Sequence, residues 1–245
     1  MMATRGRRTG LTWAIVGGAV LVVGIVALVI GNILGARTEP TPSNSPGRTT
    51  ADPTSTTSPT SGADVVDPSA SDRGWVPEPV TTDAEAYVRA ALAAAGTFDT
   101  TKSTYEEWIA YLGTWFTPDT RYTTEADRQA ELEAAKLEMR QGVVLPEQEW
   151  DSLAGEDGRM ESVATGEVVF SPVPQDDSGD MTIGTADVSI TFTRSDNEGN
   201  ENSYVESTRV SVQVLCGSAS IPVPDSPQQA GDCKVVRFFT EPVEP

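Results

Sequence analysis

The chain contains no histidine. That removes the usual general base at neutral pH, the Ser-His and Cys-His nucleophile pairs, and most zinc sites. It has only two cysteines, which suit one disulfide or none. Aromatic residues make up 7% and apolar residues 38% of the 245 positions, so the core is modest and part of the chain stays outside it. Basic residues are scarce, 17 against 36 acidic ones, for a net charge of −19. Every acid lies at or beyond Glu39, whereas Arg5, Arg7, Arg8 and Arg37 precede it. An outer part this acidic repels phosphate, which argues against nucleic acid as a partner.

One uncharged run stands out, the 24 residues Leu11–Leu34. At about 1.5 Å per helical residue it reaches roughly 36 Å, enough to cross a bilayer. Three arginines precede it and one follows closely. The positive-inside rule then places residues 1–10 in the cytoplasm and the chain beyond Arg37 outside. A cleaved signal peptide is the competing reading. Its apolar region would be shorter, and Leu34-Gly35-Ala36 is a poor cleavage site. The run therefore reads as an uncleaved signal anchor, a single-pass transmembrane helix over 11–34. Gly10, Gly17, Gly24 and Gly31 recur every seventh residue. They mark one helix face, with Gly17, Gly24 and Gly31 as candidates for close helix packing in a homo-oligomer or against another membrane subunit. Glycine is also simply frequent in membrane helices.

Residues 35–79 are rich in Thr, Ser, Pro, Asp and Gly, as in Thr54-Ser55-Thr56-Thr57-Ser58-Pro59. Such a segment buries too little apolar surface to offset its ordering entropy and reads as a disordered extracytoplasmic linker. Trp75 and Val76, near its end, are the first residues expected to touch a folded domain over 80–245.

In that domain helices come first. Thr82-Asp83-Ala84-Glu85 and Ser103-Thr104-Tyr105-Glu106 have the capping-box pattern. After the first, Tyr87, Val88, Ala91, Leu92 and Ala95 share a face up to Gly96. After the second, Tyr105, Trp108, Ile109, Leu112 and Phe116 form an apolar stripe that Pro118 ends. A third helix runs from Thr124 to Arg140, mostly alanine and charge, and is expected to be the most exposed. Beyond Glu161 the period becomes two. Strands are expected at Glu161–Phe170, Met181–Arg194, Tyr204–Leu215 and Lys234–Thr240, each with one apolar and one wet face. The fold class is α+β: three helices packed on a curved antiparallel four-stranded sheet.

Cys216 closes the third strand and Cys233 opens the fourth. Outside the membrane they are expected to form a disulfide, worth about 3 kcal/mol for a loop of this size. A redox pair is disfavoured by their distance from the C-x-x-C spacing. Asp176-Asp177-Ser178-Gly179-Asp180 and Asp196-Asn197-Glu198-Gly199-Asn200 miss the calcium-loop pattern and read as turns. No metal ligands, catalytic residues or cofactor-binding residues are assigned, and no cofactor is expected.

Trp108-Ile109-Ala110-Tyr111-Leu112 followed by Trp115-Phe116-Thr117-Pro118-Asp119 resembles a helical signature of actinobacterial conjugal-transfer proteins. These are similar to the TcpC family and to the bitopic inner-membrane scaffold subunit of type IV secretion systems. The resemblance implies a cone-shaped domain like nuclear transport factor 2, cystatin and ketosteroid isomerase, and a non-enzymatic scaffold or assembly subunit of a Gram-positive conjugation apparatus. Its partners would be other membrane proteins of the secretion apparatus. The chain departs from TcpC in its longer Ser/Thr/Pro linker and in having room for one such domain. Mce-associated proteins of lipid-uptake systems share the layout and are the alternative, as is a small-ligand-binding cone domain. A cone-fold enzyme is disfavoured, because no histidine exists and no acid interrupts the apolar strand faces.

Overall fold

Short side-chain oxygens start the helices. Asp83 accepts hydrogen bonds from the backbone N–H groups of Glu85 and Ala86 at 2.9 and 3.2 Å and opens α1, Ala84–Ala94. Thr104 opens α2, Tyr105–Thr114, and exchanges bonds with Glu107 in a reciprocal capping box. Thr124 opens α3, Glu125–Gly142. The first two starts fall one residue later than the sequence motifs suggest. Asp83 caps α1 in place of Thr82, and Thr104 caps α2 in place of Ser103, whose Oγ accepts instead from the Trp75 indole N–H at 2.9 Å. The computed structural model describes residues 65–196 and 198–243. The expected cytoplasmic tail 1–10, membrane helix 11–34 with Gly17, Gly24 and Gly31, and linker up to residue 64 lie outside the described residues. Among the described residues no helix is long and apolar enough to cross a membrane.

The sheet has five strands, not four. They are β1 Phe98–Asp99, β2 Arg159–Pro172, β3 Met181–Ser195, β4 Glu201–Leu215 and β5 Lys234–Phe239. All pair antiparallel in sequence order, and β2 carries a register shift between Thr165 and Val169. β1 escapes the periodicity because two residues have no period. A fourth helix, α4, Glu147–Ala154, was also not expected. It starts after Pro146 and buries only Trp150 and Leu153, too few apolar residues to register as a stripe.

α1 lies across β2, β3 and β4, and α3 runs along β5. Gly184 on β3 permits the closest approach: a Cβ there would sit 2.8 Å from both γ-carbons of Val88 on α1. α3 buries only Ala135 and Met139, so it is an exposed amphipathic cover. The main core lies between the helices and the inner sheet face, with Met160, Ala186, Val188, Phe192, Val212 and Val235 beneath the aromatic side chains.

The other face of the sheet is not uniformly wet. Val173, Met181, Ile183, Leu215 and Val236 form a second cluster there, backed by Phe239 and Val243. The C-terminal segment crosses this face. Val243 donates its N–H to Ser211 Oγ at 2.8 Å and accepts at its carbonyl from Thr185 Oγ1 at 2.9 Å. The odd-numbered residues of β3 are therefore apolar at one end, Met181 and Ile183, and polar at the other, Ser189, Thr191 and Thr193.

Candidate functional site

Residues 65–79, assigned by composition to the linker, pack on the domain. Pro68–Arg73 forms a 3-10 helix, and Val65 bridges to Pro79. Trp75 stacks on Tyr111 with ring centroids 4.8 Å apart. This entry segment ends in a buried polar knot that no sequence pattern marked. Glu78 and Lys234 are 0% and 1% exposed at their side chains, and Lys234 Nζ lies 2.8 Å from Glu78 Oε1. The same carboxylate oxygen accepts from Tyr87 O–H at 2.6 Å and Gln228 Nε2 at 3.0 Å. Lys234 Nζ also donates to the Thr114 carbonyl at 2.8 Å. Tyr111 O–H accepts the Glu78 N–H and donates to the Val76 carbonyl.

Burial sets the protonation of the knot. Desolvation pulls the Lys234 ammonium below its ordinary range, and the Glu78 carboxylate opposes that shift. Burial pushes the Tyr87 hydroxyl well up, and the adjacent Glu78 charge adds to it. Tyr111 is also raised, again chiefly by burial. Glu78 Oε2 is buried without a hydrogen-bond partner among the described residues. Groups this enclosed meet no substrate. Their arrangement ties the entry segment, α1, α2 and β5 at one point.

The disulfide reinforces the same place. Cys216 and Cys233 are bonded, joining the end of β4 to the residue before β5. Cys233 N–H donates to the Thr81 carbonyl at 2.8 Å, beside the knot. Both cysteines of the chain are thereby used.

The signature segment forms a joint. Trp108 and Leu112 are buried on α2, Trp115 caps it, and the chain then runs beside β5. Val235 N–H donates to the Trp115 carbonyl at 3.0 Å, and Thr117 N–H to the Val235 carbonyl at 2.8 Å. Thr117 Oγ1 accepts from the Ile221 N–H. Asp119 holds the Arg121 guanidinium through both carboxylate oxygens. Its C-terminal part joins the end of α2 to the start of β5 through the Val235 backbone.

Aromatic side chains occupy the space under the sheet. Phe98 lies 3.9 Å from Trp150 and 4.8 Å from Trp108 between centroids, and Tyr105 meets both tryptophans. Open grooves lie on the surface, two of them beside exposed apolar residues. One, about 460 Å³, runs between α2 and α3 beside Ile109, Gly113, Lys136 and the half-exposed Leu137. The other, about 530 Å³, opens on the outer sheet face between Arg121, Pro174, Ile183 and Phe239.

The acidic clusters build turns. Asp176 accepts from the N–H groups of Ser178 and Met181, and Asp196 from those of Glu198 and Asn200. Burial is the largest single influence on the Asp176 carboxyl and pushes it up, but the bonds from Ser178 and Met181 together hold it below the ordinary range. Asp196 is held low chiefly by Asn200, against burial. Among the described residues no group of three or more acids and cysteines is placed to hold a metal ion.

No protein-family description matches the chain. No curated protein matches it either. Three solved structures are similar in part. One is an IcmL-like type IV secretion system protein from Legionella pneumophila, 13% identical over 66% of this chain and 95% of that one, with a TM-score of 0.38. The second is CagV, a VirB8 homologue of the T4SS from Helicobacter pylori, 15% identical over 63% and 92%, with a TM-score of 0.32. The third is a periplasmic fragment of TraM, 15% identical over 62% and 89%, with a TM-score of 0.29. Likenesses this distant say nothing of what the chain binds.

Proposed function

We propose that the chain is a membrane-anchored, non-enzymatic assembly subunit of a Gram-positive conjugation apparatus, related in plan to type IV secretion systems. Residues 11–34 anchor it with the N-terminus in the cytoplasm, and the domain from Val65 onward works outside. The observation that carries the reading is the joint at Trp108–Asp119. The residues that resemble the conjugal-transfer signature are the ones that seat α2 against β5. They therefore support the α+β plan that the resemblance implies. The packing of Phe98, Trp108 and Trp150 on one another under the sheet supports the assembly reading over that of a cone-fold isomerase.

Gene deletion tests this directly. Loss of the gene should abolish or sharply reduce DNA transfer, and the full chain should restore it. The domain alone, secreted from Thr57 onward, should not, because the membrane holds the domain near its partners at high effective concentration. Protease added to intact protoplasts should remove the domain and spare the cytoplasmic tail. Normal transfer in the deletion strain overturns the proposal. A defect confined to lipid uptake favours the Mce-associated alternative.

A further inference from the structure

β4 is paired on one side over its whole length and on the other for only part of it. β3 pairs with it from Glu201 to Leu215, whereas β5 reaches only Ser211–Leu215. Among the described residues no strand pairs with the second edge from Glu201 to Val210, and residues 201–208 are all exposed. Edges are normally blunted by proline, lysine or a bulge. This stretch has no proline or lysine, and its register with β3 is unbroken.

The direction of the backbone groups follows from the turn. Asp196 N–H donates to the Asn200 carbonyl at 2.9 Å. Antiparallel alternation then turns even-numbered β4 residues toward β3 and aims the N–H and C=O of Glu201, Ser203, Val205, Ser207 and Arg209 outward. β5 takes up this same edge from Ser211, opposite Phe239, onward.

We infer that Glu201–Val210 is a docking edge for a second copy of this chain, pairing antiparallel about a two-fold axis at Val205. That register sets Val205 opposite Val205, Ser203 opposite Ser207, and Glu201 opposite Arg209. All of these residues present outward bonding groups. Val205 is 65% exposed and covers its twin. Within the chain Glu201 pairs with Arg159 at 2.6 Å and Arg209 with Asp187 at 3.0 Å. Joining two copies extends these into a row of alternating charge on the outer face. On the inner face Tyr204 meets Glu206 and Asn202 meets Thr208, so no like charges oppose. Sliding two residues one way drives Glu201 onto Ser211, whose edge β5 already occupies. Sliding the other way separates Glu201 from Arg209. Self-complementarity of this kind favours a second copy over an unrelated strand.

Single-cysteine variants of the full-length chain in its membrane test the register, because both native cysteines are bridged. Residues opposed in a hydrogen-bonded pair lie about 5.5 Å apart at Cα, within disulfide reach. Under mild oxidant V205C should give a linked dimer. S207C alone should not, since its twin lies roughly 13 Å along the strand, while co-expressed S203C and S207C should link to each other. V205P removes an outward N–H and no bond to β3. It should lower dimer yield about tenfold, read by a non-specific amine cross-linker, with the circular-dichroism spectrum retained. V205C that stays monomeric or links to a different protein, S207C that links as well as V205C, or V205P that dimerises normally would each overturn the inference.

Discussion

Replacing Lys234 with methionine tests what the buried knot contributes. Methionine keeps the length of the side chain and removes its charge. Glu78 then keeps two donors, Tyr87 O–H and Gln228 Nε2, but loses the cation 2.8 Å away. Its second oxygen already lacks a partner among the described residues, so nothing is positioned to take over. Removing one member of a buried ion pair costs about 3–5 kcal/mol. For a domain of this size that is roughly 6–20 °C of melting temperature. Adding Glu78→Gln to Lys234→Met discharges the site and keeps an acceptor for Tyr87. The double variant should lie within about 2 kcal/mol of the parent and above the Lys234→Met single. The assay is urea unfolding of residues 57–245 followed by tryptophan fluorescence, with unchanged m-values required for the comparison. A Lys234→Met change below about 1 kcal/mol, or a double variant as unstable as the two singles added together, refutes the reasoning.

Trp108→Ala should cost about 3–5 kcal/mol, because the fully buried indole packs on Phe98 and Trp150; urea unfolding reads it, and a small effect would mean the cluster rearranges freely. Replacing Cys216 and Cys233 together with serine should lower stability by roughly 2–4 kcal/mol and leave the circular-dichroism spectrum at low temperature unchanged. In alkali, burial keeps Tyr87 and Tyr111 protonated in the folded state beyond the ordinary value of about 10. Their contribution is complete below that pH and is lost as pH rises past it, while the lowered Lys234 acts in the opposite sense. Phenolate absorbance from the two should therefore appear with unfolding, and its appearance in the folded protein would contradict their burial. Leucine at Gly17, Gly24 and Gly31 should preserve membrane insertion but weaken DNA transfer, and unchanged transfer would remove the glycine face as a packing surface.

The sequence disclosed those elements whose period survives over several turns or residues. Trp108 and Leu112 on α2, and Val188 and Val212 on facing strands, repeat often enough to show which face is inward. α4 and β1 are too short to repeat. The second apolar cluster was hidden for a different reason. Met181 and Ile183 share a strand face with Ser189 and Thr191, so alternation along the strand averages the two environments. The polar knot was not legible at all. Glu78 lies in a segment whose composition reads as linker, and Lys234 is 156 residues away. Neither is distinguished from the other charged residues until the fold brings them together. The disulfide was legible because only one pairing of two cysteines exists.

On the proposed anchoring, the knot also bears on how the domain holds its tether. A pull on the chain at Val65 meets the bridge to Pro79, the Val66 N–H bond to the Glu78 carbonyl, and the Trp75 indole bond to Ser103. Behind them stand the Glu78–Lys234 pair and the Cys216–Cys233 bond, which fix the start of β5. Force arriving along the linker is therefore shared among α1, α2 and β5 before it reaches the pairing of β2 with β3. A buried ion pair is weak as a source of net stability, since desolvation offsets much of its attraction. Its geometry is nonetheless specific, because a carboxylate with three donors on one oxygen tolerates few alternative packings. On this argument the pair fixes where the linker ends and the domain begins. Glu78→Gln with Lys234→Met should then leave the strands ordered but let residues 65–79 exchange their amide hydrogens faster. Equal protection of that segment in the double variant would show that the 3-10 helix and Trp75 hold it without the knot.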